Sequence, residues 1–157
     1  MANTDRKISE LYVKYQNDIF YYSLGLMKNE DDAKDVVQEV FLRCNKNLGS
    51  FRGDCTEKTW LMVIARNYCY KLLKAKKLLT DPLDDFKDEK IEINIDEKLT
   101  LDEALNSLSK ENFEILYLKE YAGYSYKEIA EIMDISLSNV KIKLFRIRQQ
   151  LRKNIER

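Results

Sequence analysis

The chain has 157 residues, long enough for one domain or two small ones. Nearly half the residues are apolar, so a core can form. One Pro and four Gly leave too little turn punctuation for an all-β chain. The formal net charge is zero and histidine is absent, which removes the commonest general base and metal ligand.

The zero charge is an average over blocks. Arg66, Lys71, Lys74, Lys76 and Lys77 form a run without an acid, and Lys141, Lys143, Arg146, Arg148, Arg152, Lys153 and Arg157 stand against Glu156 alone. Between these runs lie Asp81, Asp84, Asp85, Asp88, Glu89, Glu92, Asp96 and Glu97. Local field, more than the sum, governs the approach of a polyanion.

In chain order, Ile8, Leu11, Tyr15, Ile19, Tyr22 and Leu26 recur at three- and four-residue steps, which predicts a first helix with one buried face. Asn29, Glu30, Asp31 and Asp32 suit a helix N-terminus, and Ala33, Val36, Val37, Val40, Phe41 and Cys44 form a second stripe that Gly49 and Gly53 end. A third helix is expected from about Thr56 to Lys77, burying Leu61, Ile64, Ala65, Tyr68 and Leu72. Its opposite arc gathers Arg66, Asn67, Tyr70, Lys71, Lys74 and Lys77. Cations beside an aromatic and an amide suit a nucleic-acid single strand, and the polar loop Arg52 to Lys58, with Asp54 inside it, could hold an unstacked base. A merely solvated face accounts for the same residues equally well.

Residues 79–98, with the only proline and dense acids, are expected to be a linker between domains 1–78 and 99–157. Beyond it, Thr100 with Glu103 and Ser125 with Glu128 both fit the capping box, and Ser109 can cap a helix that runs through Tyr121 and ends at Gly123. Ser125 to Leu151 then reads as a helix-turn-helix. Ile129 and Met133 point inward on its first helix, Ala130 permits close approach and Asp134 takes the turn. Ser136 caps the second helix, whose stripe is Val140, Leu144, Ile147 and Leu151. The outer face of that helix carries Ser138, Asn139, Lys141, Ile142, Phe145, Arg146, Gln149, Arg152 and Lys153. Apolar groups amid cations and amides suit a major groove, where they meet thymine methyls, although a partner protein would cover them too. In the DNA reading, Lys141 and Arg146 read bases or grip nearby phosphates, and Lys143, Arg148 and Arg152 take flanking phosphates.

Cys44, Cys55 and Cys69 have neither disulfide nor zinc spacing and read as reduced thiols. The start of the chain lacks a signal-peptide pattern, and no run approaches the roughly 18 apolar residues of a membrane span. A soluble cytoplasmic protein is therefore expected, all-α, with two small helical domains, the first of three to four helices and the second a helix-turn-helix. No cofactor, metal or enzymatic activity is expected.

The order of these pieces resembles the extracytoplasmic-function (ECF) group of bacterial sigma factors across nearly the whole chain. Three stretches carry the likeness. Asp32-Ala33-Lys34-Asp35-Val36-Val37-Gln38-Glu39-Val40-Phe41 is similar to the family's polymerase-binding region. Phe51-Arg52-Gly53-Asp54, Thr59-Trp60-Leu61 and Ile64-Ala65-Arg66-Asn67 resemble its promoter-melting and minus-ten region. Glu128-Ile129-Ala130-Glu131-Ile132-Met133 through Val140-Lys141 to Leu151-Arg152 resembles its minus-thirty-five helix-turn-helix.

The resemblance implies that Asp35, Gln38 and Glu39, beside an exposed Leu42, dock on the beta-prime clamp helices of core RNA polymerase, which would also be engaged at the beta flap. It implies that Arg52, Asp54, Lys58, Arg66, Asn67, Tyr70, Lys71 and Lys74 serve the minus-ten element. Ser138, Asn139, Lys141, Ile142, Lys143, Phe145, Arg146 and Arg148 would serve the minus-thirty-five element. A membrane-anchored anti-sigma factor, promoter DNA, a monomeric free state, a stress signal and an acidic linker threading the RNA exit path belong to the same expectation. Ser138-Asn139 and Ile142-Lys143 stand where relatives usually carry Gly-Thr and Ser-Arg, so the promoter sequence does not transfer. The alternative is a stand-alone helix-turn-helix regulator, which accounts for residues 125–153 and leaves the first domain unassigned.

Overall fold

A computed structural model describes residues 2–51, 53, 55–80 and 101–156; Arg52, Asp54, most of the expected linker and the expected Thr100 cap lie outside the described residues. Every regular element among them is helical. Contacts divide the chain into two units, Met1–Pro82 and Leu83–Arg157.

The first unit is a bundle of three mutually packed helices: α1 (Ala2–Met27), α2 (Glu30–Asn47) and α3 (Glu57–Thr80). Lys28, at φ 53, leaves the helical conformation, and Asn29 caps α2 by accepting the Asp32 N–H at 3.0 Å. Glu30, Asp31 and Asp32 then put negative charge at the positive end of the helix dipole. All six residues of the expected α2 stripe are buried. Thr56 caps α3 by accepting the Thr59 N–H at 3.1 Å.

The buried face of α3 differs from the expected one. Leu61 and Ala65 are buried as predicted, but Met62 and Cys69 complete the face, while Ile64, Tyr68 and Leu72 are only half-buried. The physical reason is that α3 packs on α1 as well as α2, so its inward arc turns one position further round. Cys69 thereby meets α1, its thiol 3.6 Å from the Ser23 hydroxyl, which donates to the Ile19 carbonyl at 2.7 Å. The unit is also tied at its edge, where Lys7 pairs with Glu57 at 2.7 Å.

The second unit contains α4 (Leu101–Asn106), α5 (Lys110–Leu116), one π-helical turn (Tyr117–Tyr121), α6 (Tyr126–Met133) and α7 (Leu137–Glu156). Ser109 caps α5 through the Asn112 N–H at 3.2 Å. The single helix expected through Tyr121 instead widens after Leu116, the Ala122 N–H reaching the Tyr117 carbonyl at 3.0 Å. Gly123, at φ +74, ends the run as expected.

Both capping-box bonds join Ser125 and Glu128. Asp134 adopts the left-handed conformation, φ 54 and ψ 50, and Ser136 caps α7 by accepting the Asn139 N–H at 3.1 Å. Ile129, Ile132 and Met133 of α6 are buried, as are Val140, Leu144 and Ile147 of α7. Each such side chain stabilises the fold by about 1.5–3 kcal/mol. The helix-turn-helix is thus fixed by a box, a left-handed turn residue and one shared apolar seam.

Candidate polymerase and nucleic-acid interfaces

Three surfaces emerge from this packing. Burial of the α2 stripe places residues 35, 38, 39 and 42 on the opposite face of the helix, at helical spacing. Asp35 and Gln38 are exposed, and Leu42 keeps 50% of its surface accessible, a large value for leucine. Glu39 is half-buried and accepts from Arg43 Nε at 3.1 Å, and the Arg43 guanidinium lies 5.0 Å from the Tyr68 ring centroid. Burial raises the Tyr68 hydroxyl above the usual tyrosine value, Glu39 raises it further, and Arg43 opposes both. Glu39 therefore belongs to a fixed cluster, while Asp35, Gln38 and Leu42 face outward.

Sequence reasoning missed the company that Gln38 keeps. With Tyr12, Gln16, Asn17, Phe20, Lys34 and Val37 it lines an open groove of about 430 Å³ between α1 and α2. The α1 pattern signalled only its buried stripe, and a groove between two helices depends on their crossing, which periodicity does not encode.

On α3, Asn67, Lys71 and Lys74 are exposed and follow one another at four and three residues, forming a single stripe. Arg66 lies over the Tyr70 ring at 4.6 Å, which holds the cation flat against the helix. Lys58 and Lys77 are half-buried. Lys76 turns away from the stripe and pairs with Asp32 at the start of α2.

On α7, Ser138, Asn139, Lys141, Ile142, Phe145, Arg146 and Gln149 are exposed, with Phe145 at 62% and Ile142 at 47%. The arrangement offers cations, amides and two apolar groups on one convex face. Lys143 and Arg148 behave differently from the rest of the predicted set. Lys143 pairs with Glu111 of α5, and Arg148 pairs with Glu120 of the π turn. The Glu120 hydrogen bond is the largest cause of the raised Arg148 pKa, with a further bond to Tyr126. Sequence alone could not assign these pairs, because each joins residues about thirty positions apart.

Among the described residues no group of acids and cysteines is arranged to hold a metal ion, and no helix is long and apolar enough to cross a membrane.

Known proteins share this architecture. The family model for sigma-70 region 2 matches residues 11–78, and that for sigma-70 region 4 matches residues 98–151. RNA polymerase sigma factor YlaC of Bacillus subtilis is 31% identical, the match covering 94% of this chain and 91% of that protein. ECF RNA polymerase sigma factor SigM of Bacillus subtilis is 32% identical over 92% of this chain and 93% of that protein. ECF RNA polymerase sigma-E factor of Escherichia coli K12 is 32% identical over 93% and 85%. Among solved structures, the fold matches sigma factor RpoE in complex with the anti-sigma factor NepR from Bartonella quintana, with a TM-score of 0.76, 21% identity and coverage of 96% of this chain and 98% of that one. It also matches CnrH in complex with the cytosolic domain of CnrY, with a TM-score of 0.72, 21% identity and coverage of 97% and 89%. The chain belongs to the ECF group of RNA polymerase sigma factors. It acts as a transcription initiation factor, and the reading as a stand-alone regulator is not favoured, since the first unit is matched as fully as the second.

Proposed function

We propose that the three surfaces divide the work of initiation. Asp35, Gln38 and Leu42, with Glu39 held behind them by Arg43, dock on the beta-prime clamp helices of core polymerase, with a second contact from the C-terminal unit to the beta flap. The α3 stripe of Asn67, Lys71 and Lys74, with Arg66 and Tyr70 beside it and the Arg52 to Lys58 loop before it, holds one strand of the opened minus-ten region. Arg52 and Asp54 enter this reading from sequence alone. The outward face of α7 enters the major groove of the minus-thirty-five element, Lys141 and Arg146 reaching bases or phosphates and Ile142 and Phe145 meeting thymine methyls.

Binding energy drives the process, with no bond made or broken. The polymerase supplies the spacing between the two DNA contacts, so free protein binds promoter weakly. An anti-sigma factor, membrane-anchored and released by a stress signal, covers the exposed apolar residues in the silent state. The complexes named for RpoE and CnrH support such a partner. A cytoplasmic location agrees with these partners.

The observation that carries the reading is the α7 face, where Phe145 and Ile142 stand exposed between Lys141 and Arg146 on a helix whose opposite stripe is buried. Run-off transcription with core polymerase on genomic fragments tests it. Discrete transcripts that depend on this protein are expected. Failure to bind core, or to start RNA at any site, would overturn the reading.

A further inference from the structure

Helical geometry gives Lys143 and Arg148 a specific relation to the rest of α7. At 3.6 residues per turn they fall roughly 70° to either side of the centre of the stripe formed by Val140, Leu144 and Ile147. One cation therefore stands on each border of the seam, and the reading face lies opposite. Their acids come from two different elements, Glu111 from α5 and Glu120 from the π turn. The π turn closes with the Ala122 N–H on the Tyr117 carbonyl, and the Tyr124 N–H reaches the Leu118 carbonyl at 2.9 Å, so the backbone carrying Glu120 is held at both ends. Such turns recur at functional sites.

The apolar seam opposes separation and large rotation of α7, since either would expose Val140, Leu144 and Ile147, but being non-directional it sets the fine roll of the helix less tightly than a directional contact does. Two charged tethers on opposite borders restrain that roll in both senses. The reading face needs this restraint, because side-chain contacts to base edges depend on direction as well as distance.

We propose that Glu111 and Glu120 are positioning residues of promoter recognition: through Lys143 and Arg148 they fix the roll of α7, and with it which of Lys141, Ile142, Phe145 and Arg146 meet the DNA. The proposal rests on the reading of α7 as the duplex-binding helix. It also removes Lys143 and Arg148 from the phosphate ligands and makes them parts of the tether.

The test uses full-length protein with core polymerase on a promoter found by run-off transcription. Its readout is the ratio of transcript from the intact template to transcript from one with the upstream block scrambled. A ratio taken within one protein sample is insensitive to the folded fraction, and circular dichroism checks each variant. Partly exposed pairs are individually weak, so the Glu111→Gln, Glu120→Gln double variant is expected to lower the ratio about threefold to tenfold. The charge-exchanged Glu120→Arg, Arg148→Glu variant should recover most of the ratio lost in Glu120→Gln. An unchanged ratio in the double variant, or an exchange variant worse than Glu120→Gln as a phosphate ligand at Arg148 requires, overturns the proposal. If wild-type protein starts RNA yet ignores the upstream block, the reading of α7 itself fails and the proposal with it.

Discussion

Ser125 and Glu128 satisfy each other: the Ser125 hydroxyl accepts the Glu128 N–H at 3.1 Å, and the Glu128 carboxylate accepts the Ser125 N–H at 3.0 Å. This closed pair starts α6, only eight residues long, which cannot form unaided and depends on its cap and its buried face. Ser125→Ala should therefore cost about 1 kcal/mol. Thermal melting of the isolated transition of the second unit should fall by several degrees; an unchanged midpoint would contradict the role given to the box.

Asp134 occupies φ 54 and ψ 50 between α6 and α7, and the Ile135 N–H reaches back to the Ala130 carbonyl at 3.1 Å. A β-branched side chain there meets its own backbone. Asp134→Val is expected to destabilise the unit by about 1–2 kcal/mol, whereas Asp134→Gly should be neutral or stabilising. Denaturant midpoints in which the valine variant matches wild type would count against a strained turn.

These two positions also show what was legible in advance. Caps and turn residues act over three or four positions, so Ser109, Ser125, Asp134 and Ser136 could be read from the chain, as could the α2 stripe. The exact arc of α3 could not, because whether Met62 or Ile64 faces inward depends on the angle at which α1 crosses. The π turn escaped for a similar reason: a one-residue widening after Leu116 leaves the apolar pattern nearly intact. Of the site, the exposed residues of α2, α3 and α7 followed from periodicity. The partners of Lys76, Lys143 and Arg148 lay in distant elements and became visible only with the fold.

Asp35 and Gln38 are both exposed, so the fold should persist when they are replaced together by Ala. Holoenzyme assembly should weaken at least about fivefold, since central interface residues carry most of the binding energy. Native gel titration against core polymerase measures this. Assembly equal to wild type would show that the clamp helices dock elsewhere.

Asn67 heads the exposed stripe of α3, and an amide there can hydrogen-bond an unpaired base. Asn67→Ala should reduce open complex about fivefold, the value of one such bond, with polymerase binding unchanged. Permanganate reactivity of thymines in the bubble reports the effect directly. Full reactivity in the variant would remove Asn67 from the minus-ten contact.

The first unit should lose stability in alkali before the second. Burial raises the Cys44 thiol above its ordinary value of 9.0, and the nearby Glu57 charge raises it further. Above pH 9 the unfolded chain gives up this proton while the folded chain keeps it, so the native state binds more protons and stability falls as pH rises toward the folded value. Tyr68, raised chiefly by burial, acts in the same sense above pH 10. Lys7 is raised by its hydrogen bond to Glu57, and the stability it contributes is present below 10.5 and lost as pH passes its folded value. All three lie in Met1–Pro82. In the second unit the hydrogen bond to Glu120 raises Arg148 above its ordinary value, so it stays charged throughout this range. The Cys44 contribution cannot exceed about 1.4 kcal/mol per pH unit, the value for one proton. Melts between pH 7.5 and 11 should show the first unit falling, and Cys44→Ala should flatten the part of the slope nearest pH 9. A slope identical in the variant would place the alkaline loss on Tyr68 and Lys7 alone.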